Sequence, residues 1–425
     1  MGSPSHVSHD SSDPCLAVVA KISELYQLRD TFYPEKEADK KAKLDSGVKE
    51  VLLMIETLAN ETAVSSKRGH VAYLRGKALD VGPDFSKEAE EQLSKAVKLD
   101  PSLADAWACL GHSFWKKGDL SQAQNCFKAA LKKGPHKEAL QQLSMLERSL
   151  AKADPEAAQQ LVEASLGHAR EAVALDIRDG RSWYTLGNAF LTHYFATGAW
   201  DFGQLRQALK AYQNAERDAA AACNPDLHFN RATVHSYLGE YSDALRDFAA
   251  AAERDPSLNA EAEVQKIVKL AGRLADLVAN KGRVKAKKLA GALAELGAAA
   301  GPSSHRVAPL GSLSPGVNKG VALLAKVLVQ AASDSTYPLT YILVDKDGSC
   351  CVLAVYAVRE GAVKADATVS LLDPVFSQQE VRWQDKVYSF PLIRVDHVQQ
   401  VLVDGKPLKQ ADAVRSTLYT ANKAS

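Results

Sequence analysis

ADAWACLGHSFWKKGDLSQAQNCFKAALKKGP, running from Ala104 to Pro135, is the stretch whose spacing decides the architecture. With Ala104 as position one, Trp107 stands at four, Leu110 at seven, Gly111 at eight, Phe114 at eleven and Gly118 at fifteen. Ala123 follows at twenty, Phe127 at twenty-four, Ala130 at twenty-seven and Pro135 at thirty-two. Small residues at eight, twenty and twenty-seven let two antiparallel helices approach closely, large residues fill the space between them, and Gly118 permits the turn. One such hairpin cannot bury its own apolar face, so the spacing predicts neighbours stacked against it.

Those neighbours are legible on both sides. VAYLRGKALDVGPDFSKEAEEQLSKAVKLDP places Leu74, Gly76, Ala89, Leu93, Ala96 and Pro101 in the same register. A degenerate unit carrying Leu140 and Leu143 comes next, after which Trp183, Leu186, Gly187 and Phe190, then Ala208, Tyr212 and Ala215, restore it around an inserted loop at Trp200 and Phe202. Gly239, Ala244 and Phe248 mark a further unit. This is tetratricopeptide spacing, and it predicts a mainly α chain of about six hairpins wound into a right-handed superhelix with a concave groove. Amphipathic helices over Cys15–Phe32 and Leu44–Leu58 read as a cap for its first end.

Composition shifts to Gly, Ala, Pro and Ser near residue 298, and the period then becomes that of strands: Val321–Val329, Leu339–Val344, Cys350–Val358, Ala367–Leu372 and Val387–Val395. Five short strands fit a small antiparallel β-barrel, most simply an OB-fold. VDKDGSCC reads as a hairpin turn; Asp345 and Asp347 are followed by no carboxylates at the spacing of a calcium loop. The expected division is a flexible tail over 1–14, capping helices over 15–62, the repeat solenoid over 63–297, a linker over 298–319, the OB-fold over 320–410 and a tail over 411–425.

Bulk properties narrow the function. With 52 basic and 51 acidic residues among 425, no global field steers the chain to nucleic acid or an anionic membrane, so charge-driven binding must be local. Six cysteines without a CxxC pair favour a reduced protein. No run approaches the roughly 20 apolar residues of a membrane span, and the first residues lack the apolar core of a secretory signal. A cytoplasmic and also nuclear protein with no membrane attachment is expected. No nucleophile elbow, P-loop, metal-ligand pair or GxGxxG is present, so the expectation is a chain that is not an enzyme and carries no cofactor and no metal.

In such repeats the groove is lined by positions two, five, nine and twelve of each first helix. Here these give Asp105, His112 and Trp115; Gln141 and Arg148; Arg181, Tyr184 and Asn188; Asp226, Phe229 and Thr233; and Glu263. Basic, amide and acidic groups succeed one another, which suits an extended peptide of mixed charge. Arg148 offers a planar fork for a ligand carboxylate, and Asp226 with Glu263 could hold a ligand guanidinium. The competing reading is a set of solvated helix side chains. A carboxylate clamp of the chaperone-binding kind is weakened: Asn188 and Asn230 are present, but Ala72 and Ala108 occupy position five of the early repeats. KGRVKAKK, Lys281 to Lys288, holds five basic residues and no acid, suited either to phosphates, rRNA in particular, or to a solvated helix start. In the barrel, Tyr341, Tyr356, Trp383, Tyr388 and Phe390 are few for base stacking, and Phe390 reads as core.

LxxAVKLDP, WKKGDL, DGRSWYxLGN, NPDLHFNRAT, KGRVKAKKL, LxPGVNxG, VDxDG and VDGKP together resemble the tetratricopeptide repeat protein 5 (Strap) family, over about Arg68 to Leu408. The resemblance implies repeats followed by an OB-fold, and an adaptor that engages the Met-Arg-Glu start of nascent α- and β-tubulin at the ribosome. It further implies that mRNA-decay adaptor proteins are engaged and the translating tubulin mRNA is degraded, the autoregulation of tubulin supply. By position, Arg148 matches the arginine that pairs with the motif's Glu, and Asp226 matches the acid that pairs with its Arg. Lys285 and Lys287 match basic residues facing the rRNA near the exit tunnel. Where the family has a second acid, Ala260 stands here; Glu261 and Glu263 are the nearby carboxylates, and only Glu263 falls on a groove position. Arg181, Tyr184, Asn188 and Asn230 complete the expected peptide-binding set. The runner-up implication is a nuclear stress-responsive transcription cofactor, its groove holding a coactivator segment; an RNA binder with the repeats as spacer is weaker still.

Overall fold

The computed structural model describes residues 14–34, 36–61, 68–154, 156–199, 201–331, 338–356 and 358–414. The expected tails therefore fall almost entirely outside the described residues, as does Trp200. The helices in order are α1 (Pro14–Thr31), α2 (Glu37–Glu61), α3 (Arg68–Leu79), α4 (Lys87–Leu99), α5 (Ala104–Lys117), α6 (Leu120–Leu131), α7 (Lys137–Ala153) and α8 (Ala158–Leu175). They continue as α9 (Gly180–Ala196), α10 (Phe202–Ala215), the single turn α11 (Ala219–Ala222), α12 (Pro225–Tyr237), α13 (Tyr241–Arg254), α14 (Ala260–Ala279) and α15 (Ala286–Ala298).

The deciding stretch folds as its spacing requires. Gly118 ends α5 with a left-handed φ of 86°, and Asp119 caps α6 by accepting from the Gln122 N–H at 3.0 Å. A Cβ on Gly111 would lie 2.6 Å from the Phe127 ring, so position eight must be small for the ring of position twenty-four to fit. The same contact recurs in other hairpins, between Gly76 and Leu93 at 2.6 Å and between Gly187 and Tyr212 at 2.5 Å. Ala123, Phe127 and Ala130 have no exposed surface, the expected result of such close approach.

The chain divides into two compact units, residues up to 189 with 210–227, and residues 190–209 with 228 onward. In the first, α1 and α2 add Val18, Ile22, Leu25, Leu44, Val51 and Ile55 to a core shared with α3 to α6. The capping helices thus complete an apolar surface that the first repeat leaves open.

The second unit contains the β-domain: β1 (Arg306–Val307), β2 (Gly316–Val317), β3 (Val321–Gln330), β4 (Leu339–Asp345), β5 (Cys350–Val355), β6 (Thr368–Leu372), β7 (Val375–Trp383), β8 (Lys386–Val395), β9 (Val401–Val403) and β10 (Lys406–Pro407). The sheet order is β10-β9-β6-β3-β4-β5-β8-β7-β2, with β1 parallel on β3, β5 parallel to β8 and the remaining pairs antiparallel. The five expected strands are all present as β3, β4, β5, β6 and β8; the short β9 and β10 are additional, and so is β7. Its sequence, VFSQQEVRW, exposes Gln378, Glu380 and Arg382 and buries little besides Val381, so it carries almost no apolar period. The expected linker also needs correction: β1 and β2 lie within it, and Ala308, Leu310 and Leu313 are buried in the barrel core. Gly and Pro spacing hid these isolated anchors.

Within this unit the barrel packs on the last repeats. The Tyr356 hydroxyl donates to the Tyr237 carbonyl, with ring centroids 5.1 Å apart, and Phe202 meets Tyr356 edge-on at 5.3 Å. Tyr241 lies 6.5 Å from Phe390, and Ser242 donates to the Glu380 carbonyl at 3.0 Å. Tyr356, Phe390 and Tyr341 are fully buried. The aromatic residues weighed as base-stacking candidates thus mostly serve as core.

Candidate functional site

α7 places Gln141, Ser144, Met145 and Arg148 on successive turns, and it begins cleanly because His136 caps it, Nδ1 accepting from the Ala139 N–H at 3.1 Å. Ser144 and Ser165 on α8 are fully buried and share a hydrogen bond of 3.0 Å. They steer the half-buried Arg148: its Nη1 donates to the Ser144 hydroxyl at 2.8 Å, to the Ser144 carbonyl at 3.2 Å and to the Ser165 hydroxyl at 3.4 Å. No carboxylate among the described residues lies within ion-pair distance of this guanidinium. Burial lowers its pKa to about 10, with the side chains of Tyr184, Tyr212 and Glu147 in electrostatic range, so it stays charged at neutral pH.

Glu147, the neighbouring carboxylate, is buried and engaged elsewhere, accepting from His168 at 2.9 Å. That contact raises the pKa of His168.

The other half of the site comes from α9, α10 and α12. Tyr212 donates to the Asn188 side-chain oxygen at 2.8 Å, and its ring centroid is 6.2 Å from that of Tyr184. The Tyr184 phenol is pushed up, first by burial and then by the charge of Asp226; its hydrogen bond with Asn188 acts in the opposite sense. Asp226 is therefore an electrostatic neighbour of Tyr184. It is exposed in the first turn of α12, where a helix favours negative charge, and its N–H donates to Asn224 at 3.0 Å. Arg148, Tyr184, Asn188 and Asp226 thus belong to the first unit, with an arginine and an acid both in electrostatic range of one tyrosine.

The remaining expected residues have other surroundings. Arg181 is exposed and lines a cleft with Arg29, His112, Trp115, Gln142 and Met145. Asn230 and Glu263 belong to the second unit; Asn230 is half-buried, and Glu263 is ion-paired to Lys266 at 2.7 Å. Ala260, at the position of the family's second acid, is buried at the start of α14, and Glu261 accepts from Gln265 at 2.7 Å. Lys285 caps α15 and is exposed, as is Lys287.

Sequence reasoning missed two polar networks. Asp80, 1% exposed, holds His112 at 2.7 Å and Lys116 at 3.1 Å, while Lys116 also donates to the Gly82 carbonyl at 2.6 Å. Arg231 on α12 makes a two-pronged pair with Asp247 on α13 at 2.6 and 2.8 Å, both buried. His235, Glu240 and Asp243 bring ligand atoms within 4.8 Å of one another. Their charges are already answered: Glu240 accepts from His235 at 2.7 Å and from Arg206 at 2.5 Å, and Asp243 pairs with Arg246 at 2.9 Å. No helix is long and apolar enough to cross a membrane among the described residues.

Residues 304–417 match the family model described as tetratricopeptide repeat protein 5 OB fold domain, and residues 104–132 match that for a tetratricopeptide repeat. The chain is 37% identical over 404 residues to tetratricopeptide repeat protein 5 of Homo sapiens, covering 91% of this chain and 92% of that protein. With the Bos taurus protein of the same name identity is 38% over 417 residues, covering 93% and 94%. With that of Mus musculus it is 37% over 418 residues, covering 93% and 94%.

Proposed function

This chain belongs to the tetratricopeptide repeat protein 5 family, an adaptor or scaffold that makes protein–protein contacts, and on that premise we propose that it reads the Met-Arg-Glu start of nascent tubulins. The observation that supports this reading most directly is the Arg148 guanidinium, half-buried, aimed by two serine hydroxyls and without a carboxylate partner among the described residues. A buried cation of this kind gains most from a ligand carboxylate, which supplies the missing charge and accepts two parallel hydrogen bonds. Asp226 offers the opposite charge, and both it and Arg148 lie within electrostatic range of Tyr184. Consecutive Arg and Glu side chains of an extended peptide point to opposite faces about 3.3 Å apart along the chain, and such a guest presents its two charges to two walls.

In this proposal Asp226 holds the ligand arginine, Arg148 the glutamate, and Tyr184 and Asn188 the backbone and stem between them. Lys285 and Lys287 contact rRNA near the exit tunnel, and the bound adaptor brings mRNA-decay proteins to the translating ribosome. The test is the affinity of a Met-Arg-Glu-Ile peptide for the protein and for Arg148→Asp and Asp226→Arg. Loss of at least tenfold in both is expected; unchanged affinity in both overturns the assignment. Cosedimentation with translating ribosomes should weaken steeply as salt rises.

A further inference from the structure

The connection between α14 and α15 holds three successive residues in the left-handed region: Lys281 at φ 49°, Gly282 at 66° and Arg283 at 56°. For residues other than glycine that region costs about 1 kcal/mol or more each, so the surroundings must hold such a turn in place. They do. Gly282 is buried, and a Cβ there would come within 3.0 Å of Leu328 Cβ and 3.3 Å of Val329 Cγ1 on β3.

Seated on the barrel this way, the turn delivers Lys281 to the loop between β4 and β5: its Nζ lies 4.0 Å from where a Cβ on Gly348 would stand. That loop is also fixed. Asp345, 2% exposed, accepts from the N–H groups of Leu310 at 2.9 Å, Asp347 at 3.0 Å and Ser349 at 2.8 Å. Its carboxylate is consumed by backbone, which disposes of the calcium-loop alternative and leaves Lys346 exposed at the tip with Asp347 beside it.

The basic run is sorted by its surroundings. Arg283 is neutralised by Asp276 at 2.6 Å and Lys288 by Asp366 at 2.8 Å. No carboxylate among the described residues lies within ion-pair distance of Lys281, Lys285, Lys287 or Lys346. None of the exposed large apolar residues of the barrel, Val307, Val317 and Val387, belongs to either turn, so nothing here suits insertion among acyl chains or stacking on bases.

We infer that Lys281 and the barrel residue Lys346 join Lys285 and Lys287 in one composite surface for an RNA phosphate backbone. The OB-fold domain therefore contributes to RNA contact by charge from the β4–β5 loop and does not read bases. This inference rests on the proposed ribosome contact and extends it to Lys346, which lies outside the basic run, and to Lys281, the first residue of that run, to which the family resemblance gives no role. Rigid placement of the backbone carrying Lys281 and Lys346 is its physical basis, because a seated turn and a hydrogen-bonded loop need no reordering on meeting phosphates.

The test uses the full chain and a double-stranded RNA hairpin, with polyglutamate-competed samples run in parallel. Binding is measured against salt for the protein and for Lys281→Ala, Lys346→Ala, Lys285→Ala and Lys287→Ala. Each substitution should reduce the slope of log affinity against log salt by about 0.7 to 0.9, the loss of one phosphate contact. Met-Arg-Glu-Ile affinity should stay unchanged in all four. If the slope falls for Lys285→Ala and Lys287→Ala but not for Lys281→Ala and Lys346→Ala, this inference fails and the ribosome reading stands. Unchanged slopes in all four remove both, and tighter binding of polyglutamate than of the RNA at matched charge overturns the choice of nucleic acid as the partner.

Discussion

Two arginines in this protein show opposite uses of the same fork. Arg231, in the second unit, is buried with Asp247, and its Nε and Nη2 each meet a carboxylate oxygen, at 2.6 and 2.8 Å. Arg148, in the first, meets serine oxygens and, among the described residues, no carboxylate. A guanidinium satisfied by its own chain has nothing left to offer a guest and instead joins α12 to α13. One supplied only with neutral acceptors keeps its charge uncompensated, and a carboxylate brought by a ligand is then the best partner it can acquire.

The largest effect that separates the two should come from Asp247→Ala. Removing one member of a buried pair strands the other, and a loss of about 3–5 kcal/mol is expected in chemical denaturation, with Met-Arg-Glu-Ile affinity retained under native conditions. The reciprocal variant, Arg148→Ala, should cost no more than about 1 kcal/mol of stability, because Ser144 and Ser165 still bond to each other. Its effect belongs to binding: loss of one charge-assisted contact of about 1.5–3 kcal/mol weakens peptide affinity by about 10- to 100-fold by calorimetry. If Arg148→Ala instead unfolds the first unit while the peptide still binds to what remains, the contrast between the two arginines is wrong.

Arg148→Lys sharpens the comparison further. Lysine keeps the positive charge and loses the planar two-pronged geometry, so affinity should fall by roughly tenfold, between the native protein and the alanine variant. Equal affinities for lysine and arginine would mean that charge alone is recognised.

The difference between the arginines also explains what could be read in advance. Hairpin positions are written in small residues that must be small: Gly111 opposite Phe127 and Gly187 opposite Tyr212 leave no room for a Cβ, and that demand shows in sequence as a fixed spacing. The same register is what assigns Arg148 and Asp226 to groove positions in the sequence. Arg231 and Asp247 were invisible because they sit on two different helices of one hairpin, and a charged helix residue looks the same in sequence whether it faces water or a buried partner. β7 was missed for the converse reason, since a strand with mostly exposed side chains lacks the apolar alternation by which strands are recognised. In the segment expected as a linker, Leu310 and Leu313 are too sparse among Gly, Pro and Ser to register as a core.

Glu147 supplies the finest test, because it is the carboxylate next in sequence to Arg148 and His168 holds it at 2.9 Å. His168 gains its partner on folding and its pKa is raised, chiefly by that hydrogen bond, with burial opposing. The sign follows from linkage: the folded state binds the proton more tightly than the unfolded one. The contribution is therefore fully present below the unfolded histidine pKa of about 6.5 and is lost as pH rises through the higher folded value. His168→Gln should remove that dependence, changing stability by about half a kcal/mol or less and mainly on the acidic side, as followed by denaturation at a series of pH values. Peptide affinity should gain a matching weak dependence in the native protein only, because a Glu147 released by neutral His168 becomes a competing carboxylate for Arg148. A pH profile identical in the native protein and His168→Gln would mean that Glu147 is held away from Arg148 by the helix itself and not by its histidine.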